Sequence, residues 1–249
     1  MQVYGRFSGI YDKLMGDVNR EEWASYLLSF IKKENAHIVD VACGTGEFSW
    51  RFAKSGYNTV GMDISEDMLF VAAEKARKNG VTVPFVCQDM RELSLHKKVD
   101  VISCACDGVN YLQNDEDAYA FFERARSFLK RGGILMFDVS SEYKLENILS
   151  CNTFAFEEED CAYIWQNMYD PVSRLVKMDV TFFEKKENTD VYERFCETHI
   201  QRAYKQEELR ALLKKAGFEK IRVYDAFTKN EPSEKSERLQ FIAFTDEEE

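Results

Sequence analysis

The sequence predicts an α/β fold: a doubly wound, mostly parallel sheet with helices on both faces and an antiparallel β unit inserted after its fifth strand. Three observations point there. Between Ala36 and Asp138, short apolar runs alternate five times with helical stretches, the pattern of a parallel sheet buried on both sides. Asp40, Asp63, Asp89, Asp107 and Asp138 fall at or just past the ends of those runs, which gathers several acids on one rim. After Leu149 the period changes to two, the signature of half-buried strands.

The elements follow in order. Arg20 to Lys33 has helical spacing, with Trp23, Leu27, Phe30 and Ile31 on one face. Asn19 is placed to cap it, with Glu22 three residues on as in a capping box. His37 to Val41 reads as a buried strand ending in Cys43-Gly44-Thr45-Gly46, and a helix follows from Phe48 to Lys54. Tyr57 to Met62 is a strand, Glu66 to Asn79 a helix stopped by Gly80, and Val83 to Cys87 a third strand. Val99 to Cys104 is the fourth strand. Ala118 to Leu129 is a helix closed by Arg131-Gly132-Gly133, and Ile134 to Phe137 is the fifth strand.

In the insertion, Phe154 to Phe156, Ala162 to Tyr169, Leu175 to Phe183 and Val191 to His199 read as successive strands, with Val176, Met178, Val180 and Phe182 sharing a face. Gln206 to Ala216 is an amphipathic helix, and Lys220 to Phe227 and Glu237 to Phe244 close the chain as strands. The expected division is a helical cap over 1–35, a ligand-binding domain over 36–149 and 201–249, and an antiparallel unit over 150–200.

Composition narrows the partners. The chain has 249 residues, 33 Lys plus Arg against 44 Asp plus Glu, and a formal net charge of −11. Such a field repels phosphate backbones, and no strong basic patch offsets it, so a nucleic-acid partner is not expected. Cys104 and Cys106 have no second Cys/His pair nearby to complete a zinc site, so no metal is expected, and the seven cysteines read as reduced thiols. Met1 to Ile10 lacks the apolar core of a signal peptide, and no apolar run approaches the roughly 18 residues of a membrane span. A cytoplasmic monomer or homodimer is expected.

The strongest local signal is Val39-Asp40-Val41-Ala42-Cys43-Gly44-Thr45-Gly46. Glycines between a strand and a helix let a ligand approach the backbone, and Asp63 follows Gly46 by 17 residues, near the ribose-acid spacing of about 20. This segment resembles the first motif of the class I S-adenosylmethionine-dependent methyltransferases, with Ala42 at the first glycine position. The resemblance covers roughly Ala36 to Asp138 and Gln206 to Phe244. It implies a Rossmann-like sheet whose last strand runs antiparallel, S-adenosyl-L-methionine as cofactor, and a lid in place of a plain insertion.

By that likeness, Ala42, Cys43, Gly44 and Gly46 pass beside the methionyl part, Asp40 positions its ammonium group, and Asp63 takes both ribose hydroxyls. Ile64 and Met68 flank the adenine. Gln88, Asp89 and Met90 meet its edge, with Asp89 accepting from the exocyclic amine. Cys104, Ala105 and Cys106 line the methyl-transfer channel with backbone. Phe7 to Met15 resembles a segment in which a tyrosine folds over the cofactor; Tyr11 is the candidate, with Tyr4 second. The lid is similar to those of glycine and amino-sugar N-methyltransferases, which implies a small amine or hydroxyl acceptor.

Methyl transfer from a sulfonium needs orientation more than acid–base help. Where the acceptor arrives protonated, His199 is the candidate base because its pKa lies near neutrality, and Asp107 is the candidate to orient the acceptor, with Asn110 and Tyr111 adding polar contacts. Arg202 either grips an acidic substrate or pairs with Glu197. Two other classes stay open at the level of sequence. A nicotinamide oxidoreductase is disfavoured by Ser49, where a third small glycine or alanine belongs. A macromolecular methyltransferase or a non-catalytic cofactor-binding regulator would carry the same cofactor motif.

Overall fold

The computed structural model describes residues 19–186 and 189–245. Five parallel strands form the centre of a seven-stranded sheet: β1 (His37–Val41), β2 (Asn58–Asp63), β3 (Phe85–Cys87), β4 (Val99–Cys104) and β5 (Leu129–Ser140). Two further strands complete it, β10 (Lys220–Asp225) and β11 (Arg238–Phe244), in the order β10-β11-β5-β4-β1-β2-β3. β11 runs antiparallel to both β5 and β10, as expected for the last strand. The strand order reverses between β1 and β4, and ligands of such sheets sit outside the carboxyl ends at that point.

Local sequence sets the helices. α1 (Arg20–Leu28) starts at Asn19, whose side chain accepts from the Glu22 N–H at 3.1 Å while its amide donates to the Glu22 carboxylate. α1 ends at Leu28 rather than Lys33: the N–H groups of Phe30 and Ile31 turn back to Leu27 and Leu28, and Phe30 instead stacks on Tyr224 of β10. α2 (Glu47–Lys54) starts at Gly46, α3 (Glu66–Lys78) is capped by Ser65, and α4 (Asp115–Phe128) by Asn114. α5 (Gln206–Lys215) buries Leu209 and Leu213. Strand β5 begins five residues earlier than its apolar run suggests. Gly132, at φ +70°, lets the chain bulge inside the strand, so the Arg131-Gly132-Gly133 triplet bends β5 instead of closing a helix.

The inserted segment forms a second sheet of four antiparallel strands, β6 (Thr153–Glu157), β7 (Cys161–Asp170), β8 (Leu175–Lys185) and β9 (Tyr192–Arg202). Its inner face meets the core at two places. Val176 and Met178 pack on Leu145 and Leu149 of the π-helical turn after β5. Phe182, flanked by Tyr163 and Phe195, packs on Met68 of α3. The alternation read in β8 thus becomes a buried face over the carboxyl edge of the main sheet. Among the described residues no helix is long and apolar enough to cross a membrane.

Candidate active site

A cavity of about 450 Å³ opens at the carboxyl ends of β1, β2, β3 and β4. Asp40 and Ala42 enter from β1, Asp63 and Ile64 from β2, Gln88, Asp89 and Met90 from β3, and Ala105 from β4. Cys43, Gly44 and Met68 also line it.

The loop after β1 is held by Asp63. Its Oδ2 accepts from the Gly44 N–H at 2.8 Å and its Oδ1 from the Ser65 N–H at 2.9 Å, so one carboxylate fixes both the glycine loop and the start of α3. Burial pushes the Asp63 carboxyl above the usual carboxylate range, and those backbone donors offset this only in part. Asp40, 1% exposed, accepts a 2.5 Å hydrogen bond from Ser49. Its carboxyl is pushed up to about 7 by burial, with the Ser49 bond opposing and the Asp63 charge adding. Ser49 therefore serves the site from inside α2, where the sequence showed only the lack of a third glycine. A Cβ on Gly44 would meet no atom within 4 Å, whereas one on Gly46 would lie 2.8 Å from the Ala72 Cβ. Gly44 leaves space for a ligand; Gly46 leaves space for α3, and it is absent from the cavity wall.

The loop after β4 is built differently. Cys106 and Asp107 both adopt left-handed backbone, at φ +65° and +60°. Fully buried Asp138 accepts from their N–H groups at 2.7 and 3.2 Å, and the Arg238 guanidinium pairs with both Asp107 and Asp138. Asp107 is thereby spent on Arg238 and does not line the cavity, contrary to its expected role in orienting the acceptor. Asn110 is likewise structural: its buried amide bonds Ser140 and the Arg202 carbonyl. Cys104 is fully buried beneath the loop, against Gly108, so of the three expected channel residues Ala105 and Cys106 line the cavity and Cys104 does not.

Other expectations also shift. Both oxygens of Asp89 are engaged by Arg91, at 2.5 to 3.1 Å, which lowers its pKa, while Asp89 itself remains in the cavity wall. His199 lies off the wall, behind Tyr111: the Tyr111 hydroxyl is 3.4 Å from its Nδ1. Arg202 pairs with Asp115 at 2.8 Å and lies over the Tyr204 ring, not on Glu197. Tyr4 and Tyr11 lie outside the described residues. Sequence reasoning missed Arg20 and Trp23, which line the cavity from α1. The only sequence signal was the amphipathic face of that helix, which looks the same whether it covers core or ligand.

Comparison with known proteins agrees with this arrangement. Residues 38–133 match the profile of a family described as a methyltransferase domain. YqeM of Bacillus subtilis (strain 168), a provisionally named methyltransferase, is 38% identical over 242 residues, spanning 97% of this chain and 96% of its own. The crystal structure of an S-adenosylmethionine-dependent methyltransferase from Clostridium acetobutylicum is 31% identical, with a TM-score of 0.88 over 98% of this chain and 99% of that one. CalS10, an amino pentose methyltransferase from Micromonospora echinaspora solved with S-adenosylmethionine bound, shares the fold at 19% identity and a TM-score of 0.73, covering 97% of each chain. The chain belongs to the class I S-adenosylmethionine-dependent methyltransferases. It is a methyltransferase whose cofactor is S-adenosyl-L-methionine.

The cavity fits that cofactor. Its acids suit a ligand bearing a sulfonium and an ammonium, and the open space at Gly44 admits close approach to backbone. Trp23 Nε1 is buried in the wall and has no hydrogen-bond partner among the described residues, a donor available to an anionic group of the ligand.

Proposed function

We propose that this methyltransferase acts on a small molecule, transferring the methyl group to an amine or hydroxyl held between the cofactor cavity and the antiparallel lid. The observation that carries the reading is the placement of the four-stranded sheet. Its aromatic inner face rests on Met68, itself a wall residue of the cavity, so the sheet covers the side of the cavity read here as the adenine end, and such cover supports a small acceptor over a polymer. The net charge of −11 points away from nucleic acid. The amino pentose acceptor of CalS10 gives a precedent on the same fold.

In this reading, S-adenosyl-L-methionine supplies an electrophilic methyl group on a good leaving group. Asp63 receives the ribose hydroxyls on the acceptor capacity it retains, and Asp40 faces the ammonium. Ile64, Met68 and Met90 flank the adenine, and Gln88 borders it. Ala42, Cys43 and Gly44 present backbone to the methionyl part, and Trp23 Nε1 donates to its carboxylate. Ala105 and Cys106 form the channel wall. Tyr111 faces the acceptor, and Tyr11 is the candidate to fold over the cofactor. Residues 36–149 and 201–249 act as the cofactor-binding unit and 150–200 as the lid. Catalysis rests on alignment and on exclusion of water.

The test is methyl transfer from methyl-labelled S-adenosylmethionine to a panel of amino sugars, amino acids, phenols and alcohols, with bulk RNA and protein in parallel. Label in a small molecule is expected. Label in RNA or protein alone would overturn the reading.

A further inference from the structure

We propose that Tyr111, His199 and Glu197 form a proton path leading from the cavity wall into the lid, and that the acceptor is therefore an amine that arrives as its ammonium. The inference rests on the small-molecule reading above and names the acceptor class.

Tyr111 closes the short turn Gly108–Tyr111 after β4 and lines the cavity. Its hydroxyl lies 3.4 Å from His199 Nδ1, with the two rings edge-on at 6.0 Å. On the other side of the imidazole, His199 Nε2 lies 3.4 Å from Glu197 Oε2, and both side chains are nearly sealed from solvent, at 7% and 10% exposure. His199 and Glu197 lie two residues apart on β9 and so share its inner face, next to Met178 and Val180 of β8. The other charged side chain close by on β9, Arg202, is turned to Asp115.

A second observation points the same way. Among the described residues Glu197 Oε2 has no hydrogen-bond partner of good geometry, nor do Trp165 Nε1 in the same cross-strand row and Asn167 Oδ1 in the next. A buried carboxylate in this state is costly until a positive charge arrives beside it. Protonation of His199 supplies that charge without moving a backbone atom.

An N–H bond of the ammonium breaks, its electron pair stays on nitrogen, and the proton passes to Tyr111 Oη as the Tyr111 proton passes to His199 Nδ1. His199 becomes an imidazolium held by Glu197. The freed amine lone pair takes the methyl carbon while the carbon–sulfur bond breaks with its electrons to sulfur. The products are a methylated ammonium, S-adenosylhomocysteine and one proton, which His199 returns to solvent. An ammonium loses its proton near pH 10, within reach of an imidazole, whereas an alcohol does so near the value of water, about 16. The path thus favours amines over aliphatic alcohols, and the panel's phenols, which also ionise near pH 10, are the discriminating control. Tyr111 is the group that touches the acceptor; His199 and Glu197 act through it.

The test combines structure and kinetics on the full chain. The sequence holds three histidines, so ¹⁵N-histidine spectra of wild type, Tyr111→Phe and Glu197→Gln isolate His199 readily. The neutral ring is expected to carry its proton on Nε2, with a spectrum altered in both variants. A proton on Nδ1, or indifference to both variants, overturns the path. With a methyl-accepting amine from the panel, His199→Gln is expected to lower kcat/KM about 100-fold at pH 7, with recovery toward wild type near pH 9.5 as free amine accumulates. An equal loss at every pH would mean a merely structural histidine and would overturn the proposal. S-adenosylhomocysteine binding in His199→Gln should match wild type. Turnover of hydroxyl acceptors without amines overturns the path and leaves the small-molecule reading standing, and absence of amine turnover by protein that binds S-adenosylhomocysteine overturns it as well.

Discussion

Two loops on the same edge of the sheet solve the same backbone problem by different means. The loop after β1 takes left-handed backbone at Ala42, Gly44 and Gly46, and two of the three are glycine. The loop after β4 takes it at Cys106 and Asp107, neither of them glycine, so each residue is strained by roughly 1–2 kcal/mol. That second loop is held by Asp138, 31 and 32 residues away, and by Arg238, 131 residues beyond Asp107. One conformation is written mostly in the loop's own residues. The other is imposed by a carboxylate and a guanidinium on β5 and β11.

The contrast breaks most sharply at Arg238. Arg238→Met leaves the Asp138 carboxyl buried without its cation and the strained loop without its clamp, and should cost about 3–5 kcal/mol in urea unfolding. The deficit should be larger at pH 8 than at pH 5, because burial favours the neutral acid. A loss below about 1 kcal/mol would show that the second loop holds itself.

Much of the first loop was legible because its partners lie close in sequence: Asp63 follows Gly44 by 19 residues, and the glycines announce the turn. Five alternating elements and the period-two insertion were legible for the same reason, since periodicity is local. The fate of Asp107 was not. Nothing near it signals Arg238, just as nothing near Asn110 signals Ser140 and the Arg202 carbonyl. His199 stands out in the sequence as a titratable residue, but its position behind Tyr111 depends on strand register in the four-stranded sheet. Asp89 stands at the strand end its sequence position indicates, and its pairing with Arg91, two residues on, is a local feature of the same kind.

A smaller effect sharpens the account of Asp40. With its carboxyl pushed up to about 7, a proton competes with any cationic ligand group. S-adenosylhomocysteine should bind about tenfold more weakly at pH 6 than at pH 8, the ratio of ionised carboxylate at the two values. The sign for stability is opposite. Between about pH 4 and 7 the folded state keeps a proton the unfolded chain has released, so this group makes the ligand-free protein less stable as pH rises. Calorimetry across pH in wild type and Asp40→Asn checks both, and a flat wild-type profile would remove Asp40 from the ammonium site.

The two smallest effects compare residues within the first loop. Gly44→Ala should lose about 1 kcal/mol of stability to its φ of +52° and weaken S-adenosylhomocysteine binding several-fold, since its methyl enters open space beside the ligand. Ala42→Gly should change stability by less than about 1 kcal/mol, because relief of strain at φ +52° is offset by the extra freedom of glycine in the unfolded chain. A larger loss would mean that the Ala42 methyl, close to Gly108, is what joins the two loops.

The central claim is that a methylation cofactor sits on Asp63 at the end of β2. The most direct measurement is calorimetric titration of S-adenosylmethionine and S-adenosylhomocysteine into wild type and Asp63→Ala, with unfolding curves to show that the variant is folded. Micromolar binding by wild type, weakened about 100-fold or lost in the folded variant, is the expected result. Wild-type binding that survives Asp63→Ala unchanged would contradict this account of the site, and no binding of either ligand by wild type would contradict the assignment of the cofactor itself.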